Sequence, residues 1–231
     1  MSWREQAKKR AALEAVKHVK DGFILGLGSG STAAYAIEEV GKKIKRGGLR
    51  VSGVPTSHQA FKLAVRHGIP TTTLDEHPKI DLAIDGADQI DTKLNLIKGM
   101  GGALLREKIV ASAAKQFIVV ADETKLTQKL GTEHPVPIEV LPFASATVTS
   151  ELKRMGGKAV LRESKGKIGP VVTDNGNFIL DVNFGPINNP KELNLKLKSI
   201  PGVIETGLFV DMADIVYVGR KTTVQKLERT T

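Results

Sequence analysis

The chain has 231 residues, 41% hydrophobic and 26% charged, which excludes a disordered tail, a fibrous repeat and a small stapled peptide and leaves room for a two-lobed α/β chain. It has no cysteine, which removes disulfides, thiolate metal sites, iron–sulfur clusters and cysteine nucleophiles, and fits a cytoplasmic location. Lys and Arg number 34 against 25 Asp and Glu, and the resulting +9 suits nucleic acid, an anionic small substrate or a basic solvated surface; with basic residues scattered and aromatics at 4%, stacking platforms are scarce and no nucleic-acid partner is expected.

The opening residues, MSWREQAKKRAALEAVKHVKDG, space Ala, Leu and Val as an amphipathic helix and lack the apolar core of a signal peptide. Nothing in the chain approaches about 18 continuous apolar residues, so no membrane partner is expected. Next come a buried strand over 23–28 and a helix over 31–44. A strand at 49–54, a helix at 57–67, strands at 71–74 and 80–85, a helix at 103–115 and a strand at 117–121 follow. This alternation predicts an α/β fold: a Rossmann-like, mostly parallel sheet with helices on both faces.

From about residue 132 the texture changes. Three prolines within His134–Pro142 mark an edge strand or a domain crossing. Helices are expected at 145–155 and near 190–199, with a hairpin over 171–182 turning at Asn175-Gly176. These elements suggest a smaller α+β (ferredoxin-like) lobe over 132–205. The closing stretch reads as strands at 208–210 and 214–218 and a helix at 222–229, so residues 1–131 and 206–231 are expected to form the Rossmann-like domain.

Three segments carry candidate chemistry. In Gly26-Leu-Gly-Ser-Gly-Ser-Thr-Ala33, glycines permit close backbone approach to a ligand and the following helix offers N–H groups to an anion, so Ser29, Gly30, Ser31 and Thr32 suit a phosphate; a plain tight turn reads the same glycines. It is not a Walker loop, and no acid ends the next strand, Val51–Thr56, to hold a ribose, which disfavours a nicotinamide cofactor. In Ile80-Asp-Leu-Ala-Ile-Asp-Gly-Ala-Asp88, a strand ends at Asp85 and a turn through Gly86 and Ala87 delivers Asp88, two acids expected to face one crevice; the alternative is turn chemistry at Asp85-Gly86 with Asp88 as a cap.

In the third segment Lys98 precedes the turn Gly99-Met100-Gly101, and Glu107 follows on a helix. Such a lysine can polarise a carbonyl and a shielded carboxylate can act as general base, although Glu107 by itself reads as an exposed helix acid. Lys125 follows the next strand end and is otherwise a surface lysine. His58 and His67 lie outside any motif, and the five histidines show no metal-ligand spacing, so no metal is expected.

Together the blocks Gly28-Ser-Gly-Ser-Thr32, Asp85-Gly-Ala-Asp88, Lys98–Ile109, Val171–Val182 and Ile200–Phe209 resemble the type A ribose-5-phosphate isomerase family across nearly the whole chain. The resemblance implies interconversion of ribose 5-phosphate and ribulose 5-phosphate in the pentose phosphate network, without metal or organic cofactor, by a homodimer or homotetramer. It makes Glu107 the base, Lys98 and the Gly99–Gly101 amides the stabilisers of oxyanion charge, and Asp85 and Asp88 the acids that handle sugar hydroxyls and ring opening. Ser29, Gly30, Ser31, Thr32, Gly86, Ala87, Met100 and Lys125 are implied ligand contacts, with Lys8 a weaker one for the phosphate. Met100 stands where many family members have glycine; it narrows the loop's conformations without removing a backbone donor.

The alternative is a sugar-phosphate-sensing effector domain of a transcriptional regulator. That reading asks for a helix-turn-helix, and the roughly 22 residues before the first strand are short for one.

Overall fold

The computed structural model describes residues 1–164 and 166–229. The chain forms two compact units, one from Met1–Ala87, Arg106–Lys125 and Met212–Thr231, the other from Asp88–Leu105 and Leu126–Asp211. In chain order the elements begin α1 (Trp3–Val16), β1 (Ile24–Leu27), α2 (Gly30–Lys45), β2 (Ser52–Pro55), α3 (His58–His67) and β3 (Leu82–Asp85). Next come β4 (Gln89–Ile90), β5 (Leu96–Ile97), α4 (Leu104–Ala113), β6 (Phe117–Asp122), β7 (Val136–Val140) and α5 (Ser145–Arg154). The remainder is β8 (Lys158–Leu161), β9 (Glu163–Ser164), β10 (Lys167–Pro170), β11 (Phe178–Asn183), α6 (Pro190–Lys198), β12 (Val203–Thr206), β13 (Leu208–Phe209), β14 (Ile215–Gly219) and β15 (Val224–Glu228).

The first unit is an α/β domain around a six-stranded sheet ordered β15-β14-β6-β3-β1-β2. All neighbouring strands run parallel except β15. Parallel strands covered on both faces read as apolar runs, and Phe117–Ala121 and Ile215–Val218 are buried at every position. Leu25, Leu27, Leu82, Ile84, Ile118 and Val120 share a cluster with α1, α2 and α3. Side chains alternate along a strand, so Gly26 faces the other way, where Val110 of α4 packs so close that a Cβ at 26 would lie 2.5 Å from its Cγ1. Ser2 caps α1 by accepting from the Glu5 N–H, and Ser57 caps α3 by accepting from the Ala60 N–H. Between β1 and β3 the strand order reverses, the place where open α/β sheets hold ligands beyond their carboxyl ends.

In the second unit β7, α5, β8, β11, α6 and β12 follow the split βαβ pattern, with an antiparallel sheet ordered β12-β7-β11-β8. Val136, Ile138, Val140, Val148, Leu152, Leu180, Val182 and Leu197 form its core. A small sheet ordered β13-β5-β4 belongs to the same unit. Whereas the sequence draws the second lobe over 132–205, this compact unit also takes in Asp88–Leu105, which carries β4 and β5.

Four local expectations are corrected. Of the expected helix at 222–229, rich in helix formers, Val224–Glu228 form strand β15, because the Arg220–Thr223 turn folds them back onto β14 and the free sheet edge supplies a ladder. Thr71–Leu74 is reduced to a single bridge from Thr71 to Gly53. The Asn175-Gly176 turn is present, but its first arm makes one bridge, Val172 to Phe178, since β11 pairs instead with β7 and β8. The proline-crowded β7 is an interior strand, which removes the edge-strand alternative. Its β12 ladder ends at Ile138, and the Pro137 carbonyl accepts from the Gly207 N–H at 2.6 Å; a residue's N–H and C=O leave a strand on the same side, so the donor that proline lacks falls beyond that ladder.

Candidate active site

In the first unit the loop after β1 is strapped to the end of β3. The Ser29 and Gly86 N–H groups both donate to Asp85 Oδ1, at 3.0 and 2.7 Å, and the Gly28 N–H donates to the Ile84 carbonyl at 3.0 Å. Asp85 is 3% exposed. Ser29 Oγ donates to Ser57 Oγ at 2.6 Å and lies 2.8 Å from Thr56 Oγ1, which makes a hydroxyl cluster rather than a cap on α2. The Gly30 N–H donates to Gln59 Oε1 at 2.9 Å. Ser31 is exposed and accepts from Lys8 Nζ at 3.1 Å, while Thr32 is half-buried. No motif in the sequence marks Thr56, Ser57 and Gln59; the signal they leave is a Thr-Ser pair between β2 and the start of α3.

Glu107 occupies the first turn of α4 and is 6% exposed, which removes the reading of it as a surface acid. Lys125 is half-buried and closes a single 3₁₀ turn after β6, where buried Asp122 accepts from the Thr124 N–H at 3.0 Å.

Asp88, Lys98, Gly99, Met100 and Gly101 belong to the second unit. The Asp88 N–H donates to the Ile97 carbonyl and its Oδ2 accepts from the Met100 N–H, both at 2.9 Å, so the aspartate and the lysine–glycine loop are brought together. Lys98 is 2% exposed, its N–H donates to the Gly207 carbonyl at 2.9 Å, and its ammonium lies 5.4 Å from the centre of the buried Phe209 ring. An ammonium over an aromatic face is attracted by the negative charge of the ring's π-system. Gly99 has φ +105° and a Cβ there would fall 2.8 Å from Leu104, so glycine is required. Met100 is exposed and lies outside the positive-φ region, which explains why a side chain is tolerated there. Gly207, Phe209 and Arg162, which donates to the Gly99 and Met100 carbonyls, come to this loop from distant parts of the chain, and no local signal marks them as its partners.

Among the described residues no group of three or more His, Cys, Asp and Glu is arranged to hold a metal ion, and no helix is long and apolar enough to cross a membrane.

An open, mostly parallel sheet whose switch point carries a glycine–hydroxyl loop strapped to a buried aspartate defines the class, an α/β domain with a candidate ligand site beyond the carboxyl ends of its strands. The family model of ribose 5-phosphate isomerase A (phosphoriboisomerase A) matches residues 52–223. Ribose-5-phosphate isomerase A of Thermosynechococcus vestitus is 53% identical over 216 residues, covering 93% of this chain and 92% of that one. The Pyrococcus horikoshii protein of the same name is 51% identical over 226 residues, covering 97% and 99%. A solved D-ribose-5-phosphate isomerase in complex with phospho-erythronic acid is 51% identical with a TM-score of 0.96, covering 99% of this chain and 100% of that one. The ribose 5-phosphate isomerase structure from Plasmodium falciparum, 38% identical, has a TM-score of 0.93 over 98% and 100%. The chain belongs to the ribose 5-phosphate isomerase A family and is an aldose–ketose isomerase.

Proposed function

We propose that this chain interconverts D-ribose 5-phosphate and D-ribulose 5-phosphate by general-base proton transfer through an enediolate, in the non-oxidative pentose phosphate pathway. The observation that carries the mechanism is the burial of Glu107 at 6% exposure in the first turn of a helix, since a carboxylate withdrawn from water is suited to take a proton from carbon. Glu107 removes the proton from C2 of the open-chain aldose and returns it to C1, while the O2 hydroxyl proton passes to O1. Composition is unchanged and only the carbonyl has moved.

Negative charge develops on O1 and O2 in the enediolate. Lys98 supplies a fixed cation and the Gly99–Gly101 loop supplies amide N–H groups, which are worth most where water is excluded. Asp85 and Asp88 handle the sugar hydroxyls and assist ring opening, with Gly86 and Ala87 lining that turn. Ser29, Gly30, Ser31 and Thr32 bind the substrate, and Lys125 and Lys8 complement its charge. The phospho-erythronic acid held by a relative supports this reading, because its carboxylate is flat and anionic as an enediolate is. We place the enzyme in the cytoplasm as a homodimer or homotetramer acting on a free sugar phosphate.

The test is conversion of ribose 5-phosphate by purified protein in heavy water. Formation of ribulose 5-phosphate with deuterium entering at C1 is expected; absence of conversion overturns the assignment.

A further inference from the structure

We propose that Arg162, locked to Asp181, is a positioning residue that sets the direction of the loop amides serving the developing oxyanion. This rests on the assignment of Lys98–Gly101 to the reaction, and all of its geometry lies within the second unit.

The Arg162 guanidinium is used on two edges. Nε donates to Asp181 Oδ2 at 2.8 Å and Nη2 donates to Asp181 Oδ1, a bidentate pair that fixes the plane of the fork. Nη1 then reaches the Gly99 carbonyl at 2.8 Å and the Met100 carbonyl at 3.1 Å. The two side chains are only 12% and 21% exposed, so neither swings freely in solvent. The pairing is set by the sheet. Asp181 in β11 lies opposite Val160 of β8, and Arg162, just past the end of β8, donates its own N–H to the Ile179 carbonyl at 2.8 Å.

Two consecutive peptide planes are thereby held. The Gly99–Met100 plane is gripped at both ends, its carbonyl by Arg162 and its N–H by Asp88 Oδ2 at 2.9 Å. That bond commits the Met100 N–H to Asp88. In the next plane Arg162 holds the Met100 carbonyl, and because a trans peptide sends its N–H opposite to its C=O, it also fixes the heading of the Gly101 N–H. Gly101 is exposed, and with the Met100 N–H committed to Asp88, the Gly101 N–H is the clamped donor that can serve a substrate oxygen. The loop otherwise rests on a turn closed by the Gly102 N–H to the Gly99 carbonyl at 2.9 Å, with Gly99 at φ +105° and Gly102 at φ +81°. Glycines at such angles leave many conformations open, so an external clamp is what selects one. Lysine cannot replace it, since one ammonium offers no planar fork to span a carboxylate and two carbonyls.

The experiment compares Arg162→Lys, Asp181→Asn and Arg162→Ala with the unaltered chain for kcat, KM, thermal unfolding and amide hydrogen exchange. Arg162→Lys is expected to lower kcat about 10- to 100-fold with KM within about threefold, and to speed exchange at the Met100 and Gly102 amides. Millimolar guanidinium is expected to restore part of the Arg162→Ala rate. Unchanged kcat, a change confined to KM, or unchanged exchange in Arg162→Lys overturns the proposal. If Arg162→Ala fails to fold, Arg162→Lys and Asp181→Asn carry the test. If the unaltered chain does not isomerise ribose 5-phosphate, the functional reading fails, while the exchange measurement still decides whether Arg162 holds the loop.

Discussion

Gly28 sits against Asp85 so closely that a Cβ at position 28 would fall 2.3 Å from Asp85 Oδ1 and 2.6 Å from its Cα. The same Oδ1 accepts the Ser29 and Gly86 amides, so the absent side chain is what lets the loop after β1 close on the end of β3. Gly28→Ala is expected to push Asp85 aside, costing about 1–3 kcal/mol of stability and about 10²-fold in turnover. Calorimetry and steady-state kinetics check both, and wild-type turnover in that variant would show that this contact is not needed for the reaction.

Glu107→Gln keeps size and burial and removes the base. Turnover is expected to fall about 10²–10⁴-fold with the fold intact by circular dichroism. Substrate-level KM should change little, because the lost interaction belongs to the proton-transfer step. Retained activity would point to a different base.

A second packing contact bears on α1, the helix that carries Lys8. A Cβ on Gly219 at the end of β14 would meet the Ala7 carbonyl oxygen at 2.0 Å, because α1 presents alanines to the sheet and lies close upon it. Gly219→Ala is expected to displace α1 at a cost of about 1–3 kcal/mol, which for a chain of this size lowers Tm by about 2–4 °C per kcal/mol. Below the new Tm, kcat should stay near its original value; a large kcat loss with unchanged Tm would contradict this.

His18 gives a pH dependence of stability. Its Nε2 lies 2.8 Å from Tyr217 Oη, and burial, helped by the charge of Lys226, holds its pKa below 6.5, with Glu228 and Glu14 opposing and Lys20 adding to the shift. In the window between that lowered value and 6.5 the unfolded chain binds more protons than the folded one, so stability rises with pH and is lost as pH falls. Thermal unfolding from about pH 7.5 to about pH 5 should show a decline that is smaller in His18→Gln. An identical decline in both would assign the effect to other groups.

The candidate residues were legible in the sequence because each sits at a local signal: a glycine run opening a helix, an acid ending an apolar strand, a lysine entering a glycine turn. Burial was not legible. Glu107 stands between Arg106 and Lys108, the composition of a solvated helix face, yet it is 6% exposed. The partners were not legible either, since Arg162 and Asp181 are 19 residues apart and come within reach of Gly99 only through the β8–β11 register. The last segment failed in the opposite direction. Gln225, Lys226, Leu227 and Glu228 favour a helix locally and form a strand because β14 offers an edge.

The sequence by itself determined the α/β class, the order of most elements, the positions of the loops and the family resemblance, since these follow from the period of apolar residues and from motifs contiguous in the chain. The tertiary structure alone decided which acids and lysines are withdrawn from water and which distant groups hold the loops in place. The reason is physical: periodicity is a property of neighbours along the chain, whereas burial and hydrogen-bond partnership depend on groups brought together only by the register of the sheets and the packing of helices upon them.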